Sequence, residues 1–173
     1  PLQVAIGKAD GFRGYVDLVH RKAWVYTDGK RAEVAIPDEL AAEVRLRRDQ
    51  LLEAAADADD EVLMKFLAGE EISDEELELC LHKGVKDSVL APVMLTSAHR
   101  DIGISAMLDA IIRYLPTPTE EPPVEATDNR GEIVEVPPDA AGPLLAQVFK
   151  TTADPFVGRL TYFRVWSGTI KSH

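Results

Sequence analysis

The sequence predicts an α/β fold over roughly its first two thirds, followed by the beginning of an all-β unit. Three observations predict this order. A stretch rich in aromatic and β-branched residues, 12–27, comes before three stretches with helical periodicity, 38–86. An apolar run at 89–95 then leads through a short loop into a helical pattern at 104–115. After a Pro-rich stretch, two further strand-like segments close the chain.

The first strands are predicted within FRGYVDLVHRKAWVYT, residues 12–27, which has the composition of two strands. Asp28-Gly29 follows and predicts a tight turn, and 33–36 predicts a third short strand.

Three helices are predicted next. The first runs over 38–58, and the second runs over 59–68 and ends at Gly69, because glycine accepts the left-handed conformation that stops a helix. The third begins at a capping box formed by Ser73 and Glu76. It directs an apolar face inward, composed of Leu77, Cys80, Leu81 and Val85.

The second half alternates apolar and Pro-rich segments. The run 89–95 predicts a strand covered on both faces, and 104–115 predicts an amphipathic helix that prolines stop at 116 and 118. Seven prolines in 116–143 predict a linker or extended connection. LLAQVFKT and GRLTYFRVWSG predict two strands on either side of Asp154-Pro155.

Composition limits the class of protein. The 173 residues are 46% hydrophobic, enough to bury a core, and the single Cys80 excludes an internal disulfide. The sequence shows no membrane-spanning run and no signal peptide, so we expect a cytoplasmic protein. A net charge of −11 argues against membrane and DNA as partners.

The charge is unevenly distributed. Residues 38–87 hold 16 Asp/Glu against 6 Lys/Arg, whereas 144–173 hold 4 Lys/Arg against one Asp. A solvated helix face explains most acidic runs. Crowding Asp57, Asp59, Asp60 and Glu61 nevertheless costs mutual repulsion, which a basic partner would relieve. Both interpretations are open from the residues alone.

VMLTSAHRDIG, residues 93–103, is a candidate ligand loop, because a strand that feeds a helix is where α/β proteins bind anions and nucleotides. Ser97, His99 and Asp101 contain the residue types of a hydrolytic triad. Three alternate positions of one loop do not line up in series, so we predict no catalytic residues. His20, His82 and His173 show no metal-ligand spacing with Cys80, so we predict no metal site.

No phosphate-binding loop is present in the sequence. Gly11-Phe12-Arg13-Gly14 lacks the Lys-Ser/Thr ending, and in 167–172 the Lys follows Ile rather than Gly. We therefore expect the chain by itself to hold neither a triphosphate nor its Mg²⁺.

Four long blocks, in order, resemble bacterial elongation factor G or a close paralogue, which are translational GTPases. The blocks are IGKADGFRGYVDLV (6–19), LLEAAADADDEVLMKFLAGEEISDEEL (51–77), APVMLTSAHRDIGISAMLDAIIRYLPTP (91–118) and FKTTADPFVGRLTYFRVWSG (149–168). The resemblance implies that 1–88 is the family's insert in the GTPase domain. It implies that 89–116 is the last strand, guanine loop and helix of that P-loop domain. Residues 117–143 would be a linker, and 144–173 the first strands of the β-barrel second domain.

The resemblance also implies binding residues. Ser97 and Ala98 match the Ser-Ala pair whose backbone helps recognise guanine, although Thr96 replaces the family's usual Gly and favours a paralogue. The phosphate loop, switch segments and Asn-Lys-x-Asp motif would precede Pro1. Because the chain lacks an initiator Met and stops after a strand, we expect a fragment. The parent would use GTP/GDP with Mg²⁺; the fragment would bind no cofactor and be inactive.

The ribosome is the partner that the resemblance implies. Glu53, Asp57, Asp60 and Glu61 match acidic positions that face the stalk protein of the large subunit. Candidate contacts to ribosomal RNA are the basic residues Lys150, Arg159, Arg164 and Lys171. The implied function is GTP-dependent ribosomal translocation. Two alternatives stay open, namely a ribosome-protection or recycling paralogue and a non-enzymatic acidic adaptor that binds a basic protein.

Overall fold

The computed structural model describes residues 1–172 and divides into two compact units. The first covers Pro1–Leu115, and the second begins at Pro116. His173, considered above as a metal ligand, lies outside the described residues.

A four-stranded antiparallel sheet opens the first unit. Its strands pair in chain order and are β1 (Gln3–Ile6), β2 (Gly14–Asp17), β3 (Lys22–Thr27) and β4 (Lys30–Val34). The two strands predicted within 12–27 are confirmed. The third predicted strand, 33–36, begins earlier in the structure, as β4 at Lys30. The Asp28-Gly29 turn has only two residues, so pairing resumes directly after it, with Thr27 opposite Lys30. Both turn residues have the left-handed φ that a two-residue hairpin favours, 51° and 73°. The sequence did not predict β1, because its four residues show no alternation of apolar and polar side chains.

Three helices follow the sheet, α1 (Ala41–Ala56), α2 (Asp60–Ala68) and α3 (Asp74–Lys86). A 3₁₀ turn at Asp38–Leu40 leads into α1, so the first helix begins where predicted. Gly69 ends α2 with a φ of 72°, as predicted. The capping box is also confirmed: Ser73 Oγ accepts from the Glu76 N–H at 3.1 Å, and Glu76 Oε2 accepts from the Ser73 N–H at 2.9 Å.

The apolar run 89–95 is not a strand, contrary to prediction. A strand needs a ladder of backbone hydrogen bonds. Among the described residues, a single backbone bond connects the run to the segment that leads into β1, from the Leu2 N–H to the Val93 oxygen at 3.0 Å. Nor is it covered on both faces, since Val89 and Val93 are exposed. The predicted helix that follows is confirmed as α4 (Ile104–Tyr114).

One apolar core joins the sheet to the four helices. Its members come from both ends of the unit and include Leu2, Val4, Ile6, Val16, Leu18, Val44, Leu51, Ala55, Val62, Leu77, Cys80, Leu81, Ala110 and Tyr114. The predicted inward face of α3 is confirmed, with Val85 packed at its margin. Burial raises the pKa of the Cys80 thiol, which keeps it protonated and unreactive.

The described part of the second unit contains two antiparallel hairpins. The first, β5 (Val124–Thr127) with β6 (Ile133–Val136), lies within the region predicted as a Pro-rich linker. That prediction is corrected, because the prolines lie outside the paired residues and leave the ladder intact. The second hairpin pairs β7 (Leu145–Asp154) with β8 (Gly158–Ser167), as predicted. Asp154 Oδ1 fixes its turn by accepting the N–H groups of Phe156 and Val157.

Candidate functional site

The acidic residues expected to face a partner lie at the junction of α1 and α2. Glu53 is on α1, Asp57 is the residue that caps its C-terminus, and Asp60 and Glu61 begin α2. All four side chains are exposed. Because α1 ends before Asp60, the four positions do not form one helical stripe. They belong to two successive helix ends.

Three acidic residues of α3 instead pair with basic residues of the other helices. Asp74 pairs with Arg48 at 3.0 Å, Glu76 pairs with Lys65, and Glu78 pairs with Arg113 at 2.6 Å. These pairs connect α3 to α1, α2 and α4 respectively. Within the part of the chain that the structure describes, none of the four partner-site residues forms an ion pair with a Lys or Arg.

Asp59 shows how position decides the role of an acid. Its Oδ1 accepts the N–H groups of Glu61 and Val62 and so caps α2, while Oδ2 contacts Lys83 Nζ at 3.1 Å. The Lys83 ammonium and the Val62 N–H lower the pKa of Asp59. Asp57, two residues earlier, instead follows the C-terminus of α1, where the helix dipole disfavours negative charge.

The loop expected to contact guanine is closed by its own backbone. Ser97 and Ile102 exchange two hydrogen bonds, N–H to O at 2.9 Å and 3.0 Å, and Asp101 turns the loop with a φ of 52°. The Ser97 N–H is therefore already used. The Ala98 N–H has no acceptor among the described residues, so it is the donor that remains for an incoming carbonyl oxygen.

Two side chains that sequence reasoning missed attach this loop to the start of the chain. Gln3, only 5% exposed, accepts the Leu95 N–H through Oε1 at 2.9 Å. Arg100 donates through Nη1 to the Asp10 carbonyl oxygen at 3.0 Å. The sequence feature that could have indicated a role for Gln3 is its position as a polar residue inside the apolar run PLQVAI. Arg100 carries no comparable signal.

The structure gives the loop no catalytic arrangement. Among the described residues no hydrogen bond joins the side chains of Ser97, His99 and Asp101, and His99 and Asp101 occupy solvent-exposed positions. Within the same residues no group of three or more His, Cys, Asp or Glu side chains could hold a metal ion. No helix built from residues 1–172 is long and apolar enough to cross a membrane.

The basic residues of the second unit are only partly brought together. Lys150 Nζ lies 5.9 Å from the ring centroid of Tyr162, and the Arg164 guanidinium lies 4.1 Å from that of Trp166. Tyr162 and Arg164 are two residues apart on β8, so Lys150 and Arg164 share one face of the hairpin. Arg159 alternates to the other face, and Lys171 lies beyond the strand.

The chain thus combines a sheet-and-helix unit, which contains the acidic helical block, with a second unit of β-hairpins. No family model matches the chain. The chain is 43% identical to elongation factor G of Thermotoga petrophila over 99% of its own length and 25% of that protein. It also matches a crystal structure of a Thermus thermophilus protein, with a TM-score of 0.76 and 34% identity over 97% of this chain and 23% of that one.

The predicted resemblance is therefore confirmed: the chain is a segment of an elongation factor of the elongation factor G type. It spans about a quarter of the length of the relatives that it matches.

Proposed function

We propose that this chain is part of a translational GTPase that promotes GTP-dependent ribosomal translocation. The observation that carries the proposal is the identity to elongation factor G, which extends along nearly the whole chain rather than over one motif. Within the parent, this segment would supply a partner-binding insert, one edge of the guanine site and the start of a β-barrel domain.

The acidic surface at the α1–α2 junction is the proposed binding site for the ribosomal stalk protein. The exposure of these four carboxylates, which form no ion pair with Lys or Arg among the described residues, supports this, whereas nearby Asp59, Asp74, Glu76 and Glu78 are used in contacts between helices or in caps. Asp57 supports this most strongly of the four, because its charge opposes the dipole of α1 and its side chain forms no ion pair or hydrogen bond among the described residues. Complementary charge accelerates encounter with a basic partner.

Charge reversal tests this site directly. The variant Asp57→Lys/Asp60→Lys should bind the purified C-terminal domain of the stalk protein with a lower association rate and a weaker salt dependence. The matched control is Glu125→Lys/Glu135→Lys, which makes the same change in net charge at two exposed, directly paired residues of the β5–β6 hairpin. Equal association rates for the two variants and the parent chain would contradict the proposal.

The Ser97–Ala98 loop is the proposed edge of a guanine pocket. The unused Ala98 N–H supports this, because it can donate to the base carbonyl while the Ser97–Ile102 bridge holds the loop closed. GTP/GDP with Mg²⁺ would be the cofactor of the parent. In this chain the Ala98 N–H would contact one edge of the base, and the sequence offers no cradle for the phosphates.

We therefore expect this chain alone to bind no guanine nucleotide and to hydrolyse none. A fluorescent GDP analogue titrated into the chain should show no saturable increase in anisotropy. Saturation at micromolar concentrations would mean that the loop suffices for binding, contrary to the proposal.

An exposed apolar surface supports the place of 89–115 in a larger GTPase domain. Val89 and Val93 are more than half exposed, and so are Leu108 and Ile112 on α4. Large apolar side chains in such number indicate a surface that is covered by other protein. We propose that further strands of the parent's P-loop domain pair with 89–95 and that the parent's other segments cover these apolar side chains.

Ribosomal RNA is the proposed partner of the second unit. Lys150 and Arg164 support it best, since they share one face of the hairpin with the aromatic rings of Tyr162 and Trp166. The geometry gives less support to the other two basic residues. Arg159 lies on the other face of the hairpin, and Lys171 lies beyond the end of β8.

Two alternatives have specific observations in their favour. Thr96, in place of the family's usual Gly, favours a ribosome-protection or recycling paralogue. The unpaired carboxylates at the α1–α2 junction would equally suit an acidic adaptor that binds a basic protein without nucleotide. GTP hydrolysis by the parent protein would exclude the adaptor.

A further inference from the structure

Helix α2 leaves two large apolar side chains in solvent. Met64 is 67% exposed and Leu67 is 71% exposed. With Asp60 they occupy positions i, i+4 and i+7, which lie along one side of an α-helix. One face of α2 therefore changes along its length from acidic to apolar.

The packing of α2 gives no reason for this exposure. The helix already contributes Val62 to the core, and Leu63 and Phe66 also pack against that core. Its C-terminus is closed by Gly69, whose N–H bonds back to the helix. Among the described residues, the core contacts of α2 are thus made by Val62, Leu63 and Phe66 rather than by Met64 and Leu67.

We propose that Met64 and Leu67 form the apolar centre of a docking surface whose acidic rim is Asp60 and Glu61. Its occupant is a basic protein that presents an apolar patch beside lysines or arginines. This inference rests on the proposed function, because it takes the C-terminal domain of the ribosomal stalk protein as that occupant. It adds residues which the acidic positions alone do not include.

Charge complementarity selects this kind of occupant. Asp60 and Glu61 form no ion pair within the described residues, and Asp57 and Glu53 extend the negative surface onto α1. A nucleic acid or an anionic membrane would be repelled by these groups. A purely apolar partner would leave the charges desolvated without a counter-charge.

The two halves of the surface have different kinetic roles. Carboxylates act over a distance and raise the association rate, whereas apolar side chains act only in contact and slow dissociation. Exposed methionine also adapts its shape to a partner, because its side chain is unbranched and flexible.

The test uses Met64→Gln/Leu67→Gln in the chain of 173 residues. Glutamine keeps the approximate length and helix propensity of both side chains while removing their apolar surface. The matched control is Leu108→Gln/Ile112→Gln, which changes two exposed apolar residues, i and i+4, on α4. Circular dichroism and thermal melting should show all variants folded as the parent.

Binding to the purified stalk-protein domain is measured by surface plasmon resonance at several salt concentrations. We expect the α2 variant to dissociate about tenfold faster, with an unchanged association rate and salt slope, and the α4 control to match the parent. If Asp57→Lys/Asp60→Lys slows association but the α2 variant dissociates normally, the inference fails and the proposed function stands. If neither variant changes binding, both fail.

Discussion

Two neighbouring aspartates of the acidic block, Asp57 and Asp59, have different roles. Asp59 caps α2 and pairs with Lys83, so its ionised form stabilises the fold. Asp57 has no such contact and follows the negative end of a helix. Composition shows an acidic run, and only the side-chain partners separate the structural acids from those available to a partner.

Asp59 predicts a specific pH dependence. Its pKa is lowered in the folded chain, so its stabilising effect is complete above the unfolded pKa and is lost as the pH falls through the folded one. Asp59→Asn keeps a capping oxygen but does not titrate. Between about pH 6 and about pH 3, we expect the urea concentration at the midpoint of unfolding to fall further for the unsubstituted chain than for this variant. Parallel losses would contradict the assignment.

Gly103 is predicted to be intolerant of substitution. Its φ is +75°, and a Cβ there would lie 2.5 Å from the Leu95 carbonyl oxygen, at the other end of the same loop. Gly69 has a similar φ, +72°, with open space around it. Gly69→Ala therefore measures backbone strain alone, about 1 kcal/mol. Urea unfolding should show Gly103→Ala to be more destabilising, by about a further 1–3 kcal/mol. Equal losses would exclude the close contact.

At the scale of elements, the helix ends were predictable because their chemistry is local. Ser73, Glu76 and Gly69 act within one turn of their own helix, and the structure confirms each of them. The apolar run 89–95 was not predictable as an unpaired segment, because strand formation depends on partners elsewhere. The same limit hid Gln3 and Arg100, whose bonds to Leu95 and Asp10 join residues far apart in sequence.

The capping box of α3 makes a stability prediction. Ser73→Ala leaves the Glu76 N–H without its Oγ acceptor and should cost about 1 kcal/mol, seen as a lower thermal midpoint. Ser105→Ala is the matched control, since it changes an exposed serine in the first turn of α4, where no side-chain cap is present. A loss of equal size in both variants would show that the capping bond contributes nothing.

At the scale of the molecule, the two units have separate secondary structure and separate proposed partners. The first unit contains the apolar core, the acidic residues of the α1–α2 junction and the loop 95–103. The second contributes hairpins with many exposed apolar side chains, including Phe156 at the β7–β8 turn. The charge asymmetry predicts parts with different partners, which stays a prediction, whereas the β5–β6 hairpin was hidden by the prolines around it.

This division predicts that the first unit is sufficient to bind the partner. A chain truncated after Leu115 keeps every residue of the proposed docking surface and its supporting core. We expect it to bind the stalk-protein domain with the affinity of the whole chain, measured by calorimetry. A large loss of affinity would place part of the binding surface in the second unit.

The central proposal is that this chain is part of a ribosome-dependent GTPase and that its acidic residues at the α1–α2 junction help to recruit the ribosome. The most direct measurement is GTP hydrolysis by the full-length parent protein with and without ribosomes. We expect ribosomes to stimulate hydrolysis, and Asp57→Lys/Asp60→Lys to lower kcat/KM for ribosomes several-fold while hydrolysis without ribosomes is unchanged. Hydrolysis that ribosomes do not stimulate, or stimulation that the charge reversal leaves intact, would contradict the account.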